Sequence, residues 1–200
     1  MKTDNTTLID GLLEISSHNT AAAEKFLELT HDQLLFKREG EWCILECLEH
    51  LNLYGDFYLP EIEKRMMTGS RNKPGKLFKS GWIGNYFAEL MQVRDGKMKK
   101  MQSPRDKNPR HNNTKLPITV VNRFLKQQET LVNLLNKCRH LDLVDTKCAI
   151  SLTPLIKLRL GDTLRFYVYH IERHILQAER VLQVQSVENL TSSKLSVQQV

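Results

Sequence analysis

The chain has 200 residues, of which 40% are hydrophobic and 26% charged, with a formal net charge of +6. That length suits one domain with a substantial core and is short for two. The composition excludes a collagen-like protein, a wholly disordered one and a small disulfide scaffold.

Four long segments repeat their apolar residues at helical spacing. In the first, Leu8, Leu12, Ile15, Ala22, Phe26 and Leu29 recur every three, four or seven residues. Asp10 and Glu14 interrupt it early, and no basic start or small-residue cleavage site accompanies it, so it does not read as a signal peptide. The second helix is expected from about Cys43 to Met67, with Ile44, Leu48, Leu51, Tyr58 and Ile62 on one stripe. Pro60 should kink it or divide it near Asp56. The third runs from about Pro117 to Arg139 on Val121, Phe124, Leu131, Leu135 and Cys138, with Pro117 suited to open it. The fourth runs from about Leu160 to Gln183 on Leu164, Val168, Ile171, Ile175, Ala178 and Leu182. Asp162 and Thr163 could start it, although Leu160 suggests an earlier beginning. No segment alternates as a half-buried strand does, so the expected fold is all-α, an up-down four-helix bundle.

The connection from Thr68 to Leu116 is too long for an ordinary loop. Within it, Trp82, Ile83, Tyr86, Phe87, Leu90 and Met91 predict a short extra helix from Ser80 to Gln92, packed on the bundle. Beyond lies a basic loop. Between Arg94 and Lys115 there are eight basic residues and two acids, which accounts for the whole net charge. With Pro104, Pro109 and almost no apolar anchor, about residues 96–115 read as a mobile arm. Residues 186–200 read as a polar, frayed C-terminal tail. Cys43, Cys47 and Cys138 fall in helical patterns, and all four cysteines, Cys148 included, read as free thiols of a reducing compartment. No run approaches the ~18 apolar residues of a membrane span, and a cytoplasmic protein without membrane contact is expected.

Chemistry concentrates on histidine. His170 and His174 lie one turn apart on one helix face, a spacing that lets both reach one ion. The stripe Tyr167, His170, His174, Gln177, Val181 can face a bundle interior and puts Gln177 beside them. His50 sits among the inward positions Cys47, Leu51 and Tyr54. A histidine there needs a polar partner, either a metal ion or a tyrosine such as Tyr54. His18, His31, His111 and His140 have no partner at ligand spacing and read as solvated. Glu49 and Glu172 read as surface acids.

The run Glu41-Trp42-Cys43-Ile44-Leu45-Glu46-Cys47-Leu48-Glu49-His50-Leu51 resembles the start of the second helix in the DinB-like (DinB/YfiT) superfamily, where a histidine follows a tryptophan by eight residues. The run from Leu160 through His170 and His174 to Gln177 is similar to that family's last helix. The resemblance covers roughly residues 1 to 185 as a single domain. It implies a four-helix bundle in which His50, His170 and His174 coordinate one divalent ion, nickel or zinc. Cys43 stands where the family often has serine or threonine, which with Glu46 would form a capping box. Glu46 is therefore read first as a helix-start residue, with a supporting role beside His50 left open, and Gln177 as a second candidate for such support.

Three neutral imidazoles leave an ion its charge and an open position. The leading expectation is thus a metal-dependent enzyme that activates water, as a hydrolase, or a low-molecular-weight thiol, as an S-transferase. Its partner would be a small-molecule substrate, and a homodimer is compatible with it. Two alternatives compete: a non-catalytic metal-binding protein, and a DNA-damage-associated protein that uses the basic loop as a contact surface. Nucleic acid ranks last, because the loop lacks the interleaved aromatics on which bases stack.

Overall fold

The computed structural model describes residues 1–68, 77–94, 96, 98, 101–112 and 115–197. The chain opens with strand β1 (Lys2–Asp4), and the Asp4 carboxylate accepts the N–H groups of Thr6 and Thr7 at 2.8 and 3.2 Å. That cap starts helix α1 (Asn5–Glu24) by satisfying donors a helix leaves free at its N-terminus. A 3-10 turn (Lys25–Glu28) and the short α2 (His31–Leu35) lead to the long α3 (Ile44–Thr68). Then come β2 (Leu77–Lys79), α4 (Trp82–Met91) and two 3-10 turns (Arg105–Lys107 and Pro109–Asn112). Helix α5 (Thr119–Cys138), a hairpin of β3 (Lys147–Ile150) and β4 (Thr153–Arg159), and α6 (Leu160–Val197) complete the fold.

The protein is mostly helical. Helices α1 and α3 each pack against both α5 and α6, so the four long helices close a ring around one core. Ile9 and Leu12, Ile44 and Leu48, Val121 and Phe124, and Leu164 and Val168 meet there, none more than 1% exposed. These are the stripes that the sequence periodicity marks out, since burial of one apolar face is what holds such helices together.

Several local expectations need correction. Pro60 does not divide the second helix, because α3 is continuous from Ile44 to Thr68 around it. Helix α6 does not stop near Gln183. It runs through most of the expected tail to Val197, and Arg38 holds Glu188 at 2.8 Å on the way. Two small antiparallel pairs, β1 with β2 and β3 with β4, add strands where none were expected. The hairpin escapes a search for alternation because its strands are short and a register shift falls between Ala149 and Ile150.

The short extra helix exists, but it packs through a different face. Gly84, Ala88 and Met91 are buried, whereas Trp82 is 88% and Tyr86 60% exposed. Asp162 explains this orientation. Helix α6 begins at Leu160, and Asp162 is buried and turned towards α4. Its carboxylate accepts the Gly81 N–H at 2.8 Å and the Ser80 hydroxyl. Arg165 completes the group by donating to Ser80 and to Asn85, each at 3.1 Å. One acid of α6 thereby anchors the residues that lead into α4.

That contact requires a glycine. A Cβ at Gly84 would lie 2.4 Å from the Asp162 carboxylate, whereas one at Gly11, on α1, would meet nothing within 4 Å. Gly84→Ala should therefore destabilise the protein by about 1–3 kcal/mol. Gly11→Ala should stabilise it by roughly 0.4–1 kcal/mol through helix entropy. Urea unfolding of the two variants checks the pair, and equal effects would contradict the close approach of α4 to α6.

Candidate metal centre

Helix α3 begins with a reciprocal cap built on cysteine. Cys43 N–H donates to Glu46 Oε2 at 2.8 Å, and Glu46 N–H reaches Cys43 Sγ at 3.4 Å. Both arms of a capping box are thus present with sulfur in place of a hydroxyl. The helix-start role expected for Glu46 is met. The same carboxylate also accepts Lys37 at 2.8 Å and Arg110 Nε at 2.9 Å, and these cations hold its pKa below the ordinary value despite burial.

One turn further, His50 projects inward, 2% exposed, to meet His170 and His174 of α6. One ring nitrogen from each lies within 4.8 Å of the others, so the three imidazoles could hold a single metal ion. The Nε2 atoms of His50 and His170 are 3.2 Å apart. No carboxylate joins the cluster among the described residues. His18, His31, His111 and His140 are exposed and stand outside it. Glu49 and Glu172 are only partly exposed. Glu49 takes Arg123 at 3.2 Å, and burial raises the Glu172 pKa, so neither is the free surface acid expected.

The outer nitrogens decide what the inner ones present. His50 Nδ1 donates to the Lys107 carbonyl oxygen at 2.6 Å, and His174 Nδ1 donates to Gln177 Oε1 at 2.9 Å. In a neutral imidazole one nitrogen carries the proton and the other a lone pair. Both Nε2 atoms therefore offer lone pairs towards one point. His170 Nδ1 is buried without a hydrogen-bond partner among the described residues, which leaves that ring free of any competing oxygen acceptor. Converging lone pairs repel unless a proton or a cation lies between them, and this donor set fits a divalent ion. Gln177 is where the stripe on α6 put it.

Aromatic rings wall the cluster. Trp42 stacks on His174 with centroids 5.8 Å apart and tilts against His50 at 4.9 Å. Tyr54 lies 4.4 Å from His170, and Phe166 stacks on the same ring at 5.9 Å. The tryptophan eight residues before His50 thus touches two of the three imidazoles. The polar alternative for His50, a hydrogen bond to Tyr54, does not occur; their contact is ring against ring at 4.9 Å.

A cavity of about 1070 Å³ opens beside the histidines. Ile150 and Leu158 of the hairpin, Phe87 and Met91 of α4, and Ser103 and Asn108 of the basic segment line it with α3 and α6. The hairpin is the wall that the sequence did not announce. Its β-branched and leucine-rich run from Ile150 to Leu158 was the available signal.

The basic segment also takes a different place from the solvated arm expected. Lys97, Lys99 and Lys100 lie outside the described residues. Lys107 and Arg110, however, lie against α3. Lys107 Nζ donates to Leu53 O at 3.1 Å, and Arg110 donates to Glu46 and to the Glu41 carbonyl. These polar anchors are invisible to a search for apolar ones.

Desolvation keeps all three imidazoles neutral. It lowers the His50 pKa from 6.5 to about 4, and it moves His170 and His174 in the same direction, aided by their mutual repulsion. Because the folded value is the depressed one, the unfolded chain binds more protons between about pH 6.5 and 4. Metal-free protein should be fully stabilised above pH 6.5 and should lose stability as pH falls, by on the order of 3 kcal/mol for His50 alone. Thermal melts of chelator-treated protein from pH 7.5 to 4.5 check this, and a His50→Gln variant should show a shallower decline. A flat wild-type profile would contradict neutral burial.

A family model described as the DinB superfamily matches residues 15–178. No curated protein and no solved structure matches the chain.

Proposed function

The chain belongs to the DinB superfamily, and from that premise we propose that it is a metal-dependent enzyme whose His50, His170 and His174 hold one divalent ion, nickel or zinc. The observation that carries this reading is the pair of Nε2 lone pairs fixed by Lys107 O and Gln177 Oε1, which converge with His170 beside a cavity of substrate size. When bound, such an ion would supply Lewis acidity that favours the deprotonated form of a water or a thiol. The reaction is accordingly hydrolysis or transfer of a low-molecular-weight thiol to a small electrophile.

The protein's own groups have defined tasks in this reading. Lys107 and Gln177 orient two imidazoles. Trp42 and Phe166 fix ring planes and keep water from the outer faces. Tyr54, whose phenol burial holds protonated, can donate a hydrogen bond but cannot serve as a base near neutral pH. With no carboxylate in the ligand set, the full charge of the ion remains for the substrate. We further propose an up-down bundle acting as one cytoplasmic domain over residues 1–185, with a homodimer compatible with it. The nucleic-acid alternative is weaker, because Lys107 and Arg110 of the basic segment are already bonded to α3.

Metal analysis of protein purified without chelator or nickel resin should find about one divalent ion per chain. His50→Ala, His170→Ala and His174→Ala should each lose most of it while keeping the helical circular dichroism, since a bundle of this size has its own core. Wild-type protein without any divalent ion at neutral pH would sink the site. Metal-dependent turnover of a p-nitrophenyl ester would favour the hydrolase, and transfer of cysteine to a bimane electrophile the S-transferase. Fluorescence anisotropy with duplex DNA at physiological salt should show no sub-micromolar binding. Such binding, lost on replacing the segment's lysines and arginines, would favour the alternative.

A further inference from the structure

Glu46 and His50 lie one turn apart on α3, and Arg110 and Lys107 lie three residues apart on the segment that crosses it. The two pairs face each other. Arg110 Nε and Nη2 donate to the two Glu46 oxygens at 2.9 and 3.2 Å, and Nη2 also reaches the Glu41 carbonyl. One step along, the Lys107 carbonyl sits 2.6 Å from His50 Nδ1, and Lys107 Nζ donates to Leu53 O. The two 3-10 turns stiffen the crossing, with Lys107 N–H bonded to Pro104 O at 3.0 Å and His111 N–H to Asn108 O at 3.1 Å. Glu46 is 6% exposed, so its ion pair with Arg110 is shielded on the carboxylate side and fork-shaped in geometry.

We propose that the Glu46–Arg110 pair is a positioning clamp that holds the Lys107 carbonyl on His50 Nδ1 and so locks His50 in the tautomer whose Nε2 faces His170 and His174. The clamp rests on the three-histidine reading for its use, but not for its existence. A main-chain oxygen on a surface segment has no intrinsic reason to stay within hydrogen-bond distance of a buried ring. Here it is fixed from both sides, by Arg110 downstream and by the Lys107 ammonium on the same residue. If the clamp is released, the partner left at Nδ1 is the Ser103 hydroxyl at 3.4 Å, which can donate as well as accept, so His50 can place its proton on Nε2, where it would oppose any cation. Groups that orient a metal-binding histidine in this way commonly change metal affinity 10- to 100-fold when removed.

The test uses full-length Arg110→Gln, with Arg110→Lys as the conservative rescue and Arg105→Gln as a control that removes an exposed charge from the same segment. Glu46 is left intact, because its replacement would also break the cap of α3. Histidine ring nitrogens of metal-free protein, 15N-labelled, report the tautomer by NMR. Cobalt(II) titration against a competing chelator reports affinity. Wild type and Arg105→Gln should show His50 protonated at Nδ1 alone. Arg110→Gln should show mixed tautomers and about 10-fold weaker cobalt binding, and Arg110→Lys should lie between. An Arg110→Gln protein with one tautomer and full cobalt affinity overturns the clamp, as does an Arg105→Gln protein equally impaired. If wild type binds no cobalt, the metal reading falls, and the tautomer of Arg110→Gln alone decides the clamp.

Discussion

A buried neutral imidazole has one proton and one lone pair, and whichever oxygen takes the proton determines where the lone pair points. In this protein the constraint is met twice, by a main-chain carbonyl at His50 and by a side-chain amide at His174. Everything else around the site serves to hold those two oxygens and three rings in place. Helix α6 brings His170, His174 and Gln177 as one rigid unit. Helix α3 brings His50 on the turn after its own cap. The segment with the 3-10 turns brings Lys107 from a part of the chain that belongs to neither helix. A change of one proton's position on His50 would turn an N–H, in place of a lone pair, towards His170 and His174.

The electrostatics of the site follow from what surrounds it. Trp42, Tyr54 and Phe166 take the place of water around the rings and add no formal charge, so desolvation dominates and the imidazoles stay neutral. No acid offsets them within the cluster, among the described residues. Glu46, one turn before His50 on α3, is paired with Lys37 and Arg110. This arrangement separates two tasks that one carboxylate might otherwise share. Glu46 caps a helix and pairs with a segment, while the cluster of His50, His170 and His174 remains purely imidazole among the described residues. The basic charge that sequence composition concentrates between Arg94 and Lys115 is in part consumed by this internal pairing, which removes some of it from any surface role.

The helical layout was legible because its cause is local and periodic. Residues such as Leu48, Leu51, Leu164 and Val168 repeat at the spacing of a helix, and burial selects that stripe. The His170–His174 pair was legible for the same reason, whereas the tryptophan eight residues before His50 was legible only through the family resemblance. The misreadings have equally specific causes. Pro60 was tolerated because the continuous packing of α3 against α5 and α6 outweighs one missing hydrogen bond. Helix α4 exposes Trp82 and Tyr86 because Asp162 draws the small side of that helix, Gly84 and Ala88, against α6. Hydrophobicity alone favours the opposite face. The β3–β4 hairpin is set by pairing across a turn, with Ala149 N–H held by Glu61 of α3 at 2.7 Å, and no short-range pattern encodes that contact.

The sequence by itself therefore determined four amphipathic helices and the His170–His174 pair one turn apart, and its resemblance to a family pointed to His50 as their partner. The helices and the pair depend on side-chain identity and on spacing along a single helix, which a linear chain displays directly. Only the tertiary structure decided which nitrogen of each histidine faces that point and which elements wall the cavity beside it. The Lys107 oxygen that sets His50 lies 57 residues away and belongs to the backbone, which is chemically the same at every residue. That oxygen reaches the helix beside two side-chain contacts, Arg110 with Glu46 and the Lys107 ammonium with Leu53 O, and contact between distant segments is a property of the fold.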